Sequence, residues 1–460
     1  MPITYVSTRG RAPELGFADV LLAGLASDGG LYCPATVPPL PELEPGLPYD
    51  EVARRVMWPY VEGALEPDEW AALVADAYRA FRHRDVCPVI SLGDNHHLLD
   101  LTQGPTLAFK DVALQLVGRL LDRELARRHQ RVVVIGATSG DTGSAAIEAL
   151  AGRPNVDAVV LHPAGRVSEV QRRQMTTVDA PNIHNLAVDG TFDDCQDLVK
   201  AAFSAPELAG RHLSAVNSIN WARIMAQIVY YVTGARTVAP GGGPVSFAVP
   251  TGNFGNVLAG WYAKRMGLAV DQLVVASNRN DVLARFFATG ALEARTVEPS
   301  LSPSMDIQVS SNFERLLWEA SGRDGEAVTD LLTRFRAEGR VDVPEPWVTA
   351  IRAEMTGFRL DDEATLTEMA RLHTELGRVI DPHTAVGLAA ARACRRDPGV
   401  PMVTLATADP AKFPDAVEKA VGVRPPLPPF LAELFSRPEH LEPIANDLAA
   451  LVGVIEGLPA

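Results

Sequence analysis

A chain of 460 residues, 47% hydrophobic and 22% charged, has the composition of a soluble globular protein with room for two or three domains. Its formal net charge of −15 argues against a nucleic-acid or anionic-membrane surface, either of which wants a basic face, but not against a locally positive site. The widely separated Cys33, Cys87, Cys195 and Cys394 suggest neither a disulfide framework nor a structural zinc site, and Met1–Ala12 lacks a signal-peptide pattern. With no apolar run of membrane-spanning length, a cytoplasmic protein is expected.

Residues 1–92 are rich in helix formers and proline, with a loop over Pro34–Pro48. The β-branched run Arg131–Ile135 reads as a buried strand, followed by the loop GATSGDTG and an Ala-rich helix closed by Gly152. A strand at Asp157–Leu161, a helix from Ser168, a strand at Ile183–Val188 and a helix near Asp194–Phe203 continue the alternation. A second block begins with the strand VSFAV at Val245, then the loop TGNFGN and a helix over Val257–Met266. A strand at Gln272–Ser277 and a helix over Asp281–Ala288, with Asp281 as N-cap, follow. Beyond about Arg340 the pattern is helical with one more strand, Met402–Ala406, and a peripheral helical tail after RPPLPP. Strand–loop–helix repeated in two blocks implies two α/β units with mainly parallel sheets, whose ligands gather at the carboxyl ends of the strands.

Four motifs lie where such ligands would. GATSGDTG, Gly136–Gly143, offers backbone N–H groups at a helix start and the hydroxyls of Thr138, Ser139 and Thr142, which suits a phosphate or carboxylate. It lacks the GxGxxG spacing and the P-loop lysine, and a tight turn explains its glycines equally well. TGNFGN, Thr251–Asn256, is a second such nest; taken singly, a turn is the better reading. In GPTLAFKD, Lys110 stands between Phe109 and the apolar Val112–Leu116, where desolvation would make its amine nucleophilic; alone, it reads as a solvated charge. In NSINWARI, Asn217, Ser218 and Arg223 form a natural phosphate clamp, although Ser218 or Asn220 could simply cap a helix whose Trp221 and Ile224 face the core. The adjacent His96 and His97 make no metal site, His383 reads as a structural loop residue, and no Ser–His–Asp order, HExxH or EF-hand loop occurs.

Together with YVSTRG, GLASDGGLYCP, SPSMDIQVSSNFERLL, DPHTAVG and TADPAKF, these motifs run in order from Tyr5 to Phe413, and the chain resembles the threonine synthase family in its longer, fungal and enterobacterial-type branch. The resemblance implies an α/β fold of the tryptophan-synthase-β-like pyridoxal-phosphate (PLP) type, two doubly wound mainly parallel-sheet domains with an N-terminal helical segment. The expected division is an N-terminal segment at 1–92, a larger cofactor-binding domain from 93–130 and 236–424, a smaller domain at 131–235 and a tail at 425–460.

On that resemblance Lys110 is the Schiff-base lysine, with Phe109 beside the cofactor ring. Gly252, Asn253, Phe254, Gly255 and Asn256 cradle the cofactor phosphate, Asp141 lies near the ring hydroxyl and Thr407 meets the pyridine nitrogen. Thr138, Ser139 and Thr142 would receive the substrate carboxylate, while Asn217, Ser218 and Arg223 hold its phosphate. No metal is implied. The reaction implied converts O-phospho-L-homoserine and water to L-threonine and phosphate, in a monomer or homodimer. Two positions depart from the family's pattern, Gln103 before GPT and Asp409 in TADPAKF, where the family usually has His. They bear on the substrate more than on the cofactor. Two alternatives therefore stand beside the main reading: a related PLP enzyme acting on another phosphate- or phosphonate-bearing amino acid, and a non-catalytic binder of PLP or a metabolite.

Overall fold

Alternation within the β-branched runs decides how the strands are covered. In the strand Val132–Ala137, Val133 and Ile135 join Val159 and Leu161 of Val156–Pro163 and pack on Leu198 and Leu451, while Val132 and Val134 on the opposite face pack on Leu121, Leu125 and Leu150. The sheet is thus buried on both faces, the condition under which parallel strands are stable. The computed structural model describes residues 2–138, 140–215 and 218–459. Among them, this smaller sheet has five strands, all parallel, in the order Glu442–Ile444, Ile183–Val188, Val156–Pro163, Val132–Ala137 and Leu213–Ser214.

The larger sheet has six strands in the order Met355–Arg359, Val270–Ser277, Val245–Pro250, Met402–Ala406, His96–Asp100 and Val89–Gly93. All pairings are parallel except the last, an antiparallel hairpin. The same two-residue alternation covers it. Phe247, Val249, Leu273, Val275, Val403 and Leu405 face the main core, whereas Ala248, Val274, Ala276 and Met402 face Val386 and Ala390 of the helix Pro382–Cys394. The family fold expected from the sequence is therefore present: two mainly parallel sheets, helices on both faces, and N-terminal helices Tyr49–Val61 and Pro67–Tyr78 packed into the main core.

Three details differ from the sequence reading. The tail after residue 425 is not only helical, because Glu442–Ile444 adds an edge strand to the smaller sheet and Leu448–Glu456 packs beneath it. The helix Trp221–Val238, which runs across the expected boundary at 235, is buried in the larger core, since Trp221, Ile224, Ile228 and Tyr231 on one face and Ala222, Ala226 and Tyr230 on the other all pack there. Asp281 stands at the N-cap of Val282–Thr289, but its carboxylate pairs with Arg285 and Arg359 instead of capping. Among the described residues no helix is long and apolar enough to cross a membrane.

Candidate active site

Two loops at the carboxyl ends of neighbouring strands are sewn together. The segment after His96–Asp100 and the segment after Met402–Ala406 exchange backbone bonds, Phe109 N–H to the Thr407 carbonyl at 2.9 Å and Asp409 N–H to the Leu107 carbonyl at 3.0 Å. Asp111 fastens the first of them from within, its carboxylate accepting Thr106 N–H at 2.8 Å and the Thr106 hydroxyl at 2.7 Å. Burial pushes the Asp111 carboxyl up to about 6. This framework presents Lys110 as the first residue of the helix Lys110–Arg128.

Lys110 is 8% exposed, with Nζ 3.5 Å from Asp141 Oδ2, 3.4 Å from Ser304 Oγ and 5.0 Å from the centre of the Phe109 ring. Burial lowers its pKa; Asp141 opposes that, while Lys412 and Arg223 add to it. A buried amine of lowered basicity is the nucleophile that carbonyl chemistry needs.

Asp141 opens the helix Asp141–Leu150 and is itself buried. Its Oδ1 accepts Lys412 Nζ at 2.9 Å and Gln171 Nε2 at 2.8 Å, and its Oδ2 accepts the Ser304 hydroxyl at 3.0 Å. Burial alone would raise this carboxyl, but Lys412 and Lys110 outweigh it and hold it far below the usual carboxylate range. Lys412, fully buried with Nζ also donating to the Thr106 carbonyl at 2.7 Å, was not singled out by the sequence reading. Neither were Ser304 and Asp381, and His383 was read only as a structural loop residue. The only sequence signals were their motifs, SPSMD, DPHTAVG and TADPAKF.

The TGNFGN loop joins the strand Val245–Pro250 to the helix Gly255–Arg265. Phe254 sits in the left-handed region at φ +65°, a strained choice for a non-glycine residue, and is held there by its ring, buried edge-on against Phe313 at 5.0 Å. A side chain at Gly252 would meet the Ser304 carbonyl at 2.7 Å, so only glycine leaves the cradle open. The helix start supplies N–H groups without intrahelical partners. Asn256 accepts the Tyr230 and Tyr231 hydroxyls at 2.6 and 2.9 Å, and its buried Nδ2 has no partner among the described residues. Asn253 is tied through its carbonyl to Asn312, whose Nδ2 also donates to the Ser218 carbonyl at 3.0 Å. One amide thus links the TGNFGN loop to the NSINWARI loop.

Arg223 is buried, and its Nε and Nη1 have no partner among the described residues; burial pushes its pKa down to about 10. A buried guanidinium with unspent donors is an anion site in waiting. Asn220 caps this helix through Ala222 N–H at 3.0 Å, as the alternative reading of that motif expected. Thr138 Oγ1 accepts Gly140 N–H at 3.0 Å and Gly143 N–H at 2.8 Å, which leaves only its hydrogen for a ligand. Thr142 is half-buried beside it. Ser139 and Asn217 lie outside the described residues. Gln103 donates to Asp100 at 2.7 Å, and Asp409, its carboxyl raised by burial, caps the turn Pro410–Lys412 through Ala411 N–H at 2.8 Å.

The chain matches three family models in sequence: threonine synthase N terminus over residues 4–78, pyridoxal-phosphate dependent enzyme over 91–333, and threonine synthase, C-terminal, over 384–455. It is 54% identical over 451 residues to a threonine synthase of Pseudomonas aeruginosa, covering 97% of this chain and 96% of that one. Among solved structures, the PLP-bound threonine synthase of Brucella melitensis matches with a TM-score of 0.95 at 48% identity over 98% of both chains. The yeast threonine synthase matches with a TM-score of 0.94 at 37% identity over 99% of this chain and 98% of that one.

Proposed function

The chain belongs to the threonine synthase family of PLP-dependent enzymes, and from that premise we propose how its own residues do the work. The protein converts O-phospho-L-homoserine and water to L-threonine and phosphate. One observation carries the site assignment: the buried Lys110 amine stands 3.5 Å from Asp141 and within the electrostatic reach of the buried Arg223, whose Nε and Nη1 have no partner among the described residues. A nucleophilic amine and an anion receptor thus share one interior.

The residues present fit the cofactor. The open cradle at Gly252, the helix start at Gly255 and the unspent Asn256 Nδ2 suit its phosphate, with the Lys110 amine near. Phe109, Asp141 and Thr407 are taken as its ring neighbours. When bound, the cofactor supplies a carbonyl for amine exchange and an electron sink for charge at the substrate α-carbon. Lys110 would hold it, and its amine would be set free when substrate binds. The freed amine would remove the α-proton, take a proton from the β-carbon as phosphate leaves the γ-carbon, deliver a proton to the γ-carbon, and return one to the α-carbon after water adds at the β-carbon, as base and acid in turn. It can do so because desolvation keeps it uncharged more readily than a surface lysine.

Arg223 with Ser218 and Asn217 binds the substrate phosphate and stabilises it as it leaves, while Thr138, Ser139 and Thr142 hold the carboxylate. We take the two sheets as two units whose closure excludes water until the β-addition step. Four free thiols, three of them buried, suit the cytoplasm. Incubation of the holoenzyme with O-phospho-L-homoserine tests this function. Threonine and phosphate released in equal amounts support it; a cofactor-loaded enzyme that releases neither refutes it.

A further inference from the structure

Ser304 lies in the turn Pro303–Met305, within the motif SPSMD, and is pinned by three different groups. Its backbone N–H donates to His383 Nε2 at 3.3 Å, its carbonyl walls the Gly252 cradle, and its hydroxyl donates to Asp141 Oδ2 at 3.0 Å. A hydroxyl has one hydrogen to give. With that hydrogen on Asp141, the oxygen can only accept from Lys110 Nζ, 3.4 Å away. The separation is long, as such contacts often are before substrate binds.

His383 is equally constrained. Asp381 caps the helix Pro382–Cys394 through His383 N–H and Thr384 N–H, and the same carboxylate meets His383 Nδ1 at 2.7 Å. The Phe413 ring packs on the imidazole at 4.9 Å between centres. An imidazole whose Nδ1 hydrogen goes to Asp381 leaves Nε2 free to accept, which is what the Ser304 N–H requires.

We propose that Ser304 is a further catalytic residue, whose hydroxyl accepts a hydrogen from the Lys110 amine and thereby aims its lone pair into the site, and that His383, oriented by Asp381, is its positioning residue. A primary amine rotates freely about its last carbon–nitrogen bond, so a base that serves several carbons in turn needs its lone pair directed. Asp141 cannot do this alone, because its near oxygen is engaged by Ser304 and its far oxygen by Lys412 and Gln171. The inference rests on Lys110 being the cofactor lysine.

The test has two readouts on full-length protein. In cofactor-stripped enzyme, acetic anhydride labelling of the Lys110 peptide against pH reports its ionisation in the field of Asp141, Lys412 and Arg223. Ser304→Ala removes an acceptor that favours the ammonium, so below the midpoint labelling should run about threefold to tenfold faster, a shift of about half to one pH unit. In the loaded enzyme the same variant should lose about tenfold in kcat with KM unchanged. Ser304→Thr should retain both properties. His383→Leu should follow Ser304→Ala, while His383→Gln, which keeps an acceptor, should recover part of the loss. Wild-type labelling and kcat in Ser304→Ala, or a Ser304→Thr enzyme as impaired as Ser304→Ala, overturns the proposal. If borohydride reduction of the loaded enzyme marks a lysine other than Lys110, the underlying reading falls as well. Lys110 marked while Ser304→Ala is silent removes only the role of Ser304.

Discussion

Asp141 faces Lys110 with one carboxylate oxygen, at 3.5 Å, and the fully buried Lys412 with the other, at 2.9 Å. One carboxylate between two amines leaves the cluster balanced only when one amine is neutral. Lys412 makes the shorter contact and has the Thr106 carbonyl behind it. Lys110 is the amine that loses its proton more readily than usual, because burial, with Lys412 and Arg223 nearby, outweighs the pull of Asp141.

Removing Lys412 should therefore damage the fold as well as the chemistry. Lys412→Met leaves Asp141 buried and short of a partner, at a cost of about 3–5 kcal/mol in urea unfolding. The double variant Asp141→Asn/Lys412→Met should lose markedly less than the two single losses added together. Strict additivity would show that the pair is not coupled.

Arg223→Ala should separate substrate from cofactor. Charge-assisted hydrogen bonds contribute about 1.5–3 kcal/mol each, so kcat/KM for O-phospho-L-homoserine should fall about 10- to 100-fold or more, while cofactor affinity stays near wild type. Equal losses in both would move Arg223 out of the phosphate clamp. Fluorescence titration of the apoprotein with PLP reads the second quantity.

Gly252→Ala tests the cradle in the opposite sense. Its methyl would stand 2.7 Å from the Ser304 carbonyl, and backbone cannot yield as a flexible side chain would. Cofactor affinity should drop about tenfold or more, and the melting temperature of the apoprotein should fall as well, since such a clash costs about 1–3 kcal/mol. An affinity equal to wild type would mean that the phosphate sits elsewhere.

The raised Asp111 carboxyl makes a signed prediction about pH. With a folded pKa of about 6 against an unfolded value of about 4, the folded state binds the extra proton between those limits. Its contribution to stability is fully present below the unfolded value and is lost as pH rises through about 6, on the order of 3 kcal/mol in all. Subtracting the Asp111→Asn stability curve from the wild-type curve should expose a decline over that window. A flat difference would contradict it.

How much of this was legible beforehand depends on how local the cause is. The strands Ile183–Val188 and Met402–Ala406 have the bounds read from the sequence, because β-branched and apolar runs closed by polar residues leave little choice. The hairpin Val89–Gly93 and His96–Asp100 was not read, since its two histidines and its polar turn resemble loop. The strand Glu442–Ile444 contains a proline and owes its existence to the edge it joins. In the site, Lys110 emerged only through its company of motifs. Lys412 carries no local sign of burial, because the carboxylate that permits it lies far away in sequence, at the start of the helix Asp141–Leu150. His383 was read as a structural loop residue, but it lies in the first turn of the helix Pro382–Cys394, where Asp381, Phe413 and the Ser304 N–H hold it.

The claim that Lys110 carries the cofactor has the most direct test of all. Borohydride reduction of the loaded enzyme, followed by digestion and mass mapping, should place the reduced pyridoxyl group on the peptide bearing Lys110. Lys110→Ala should yield no such adduct and lose turnover by several orders of magnitude. A pyridoxyl group on any other lysine, or full turnover in Lys110→Ala, would contradict the account.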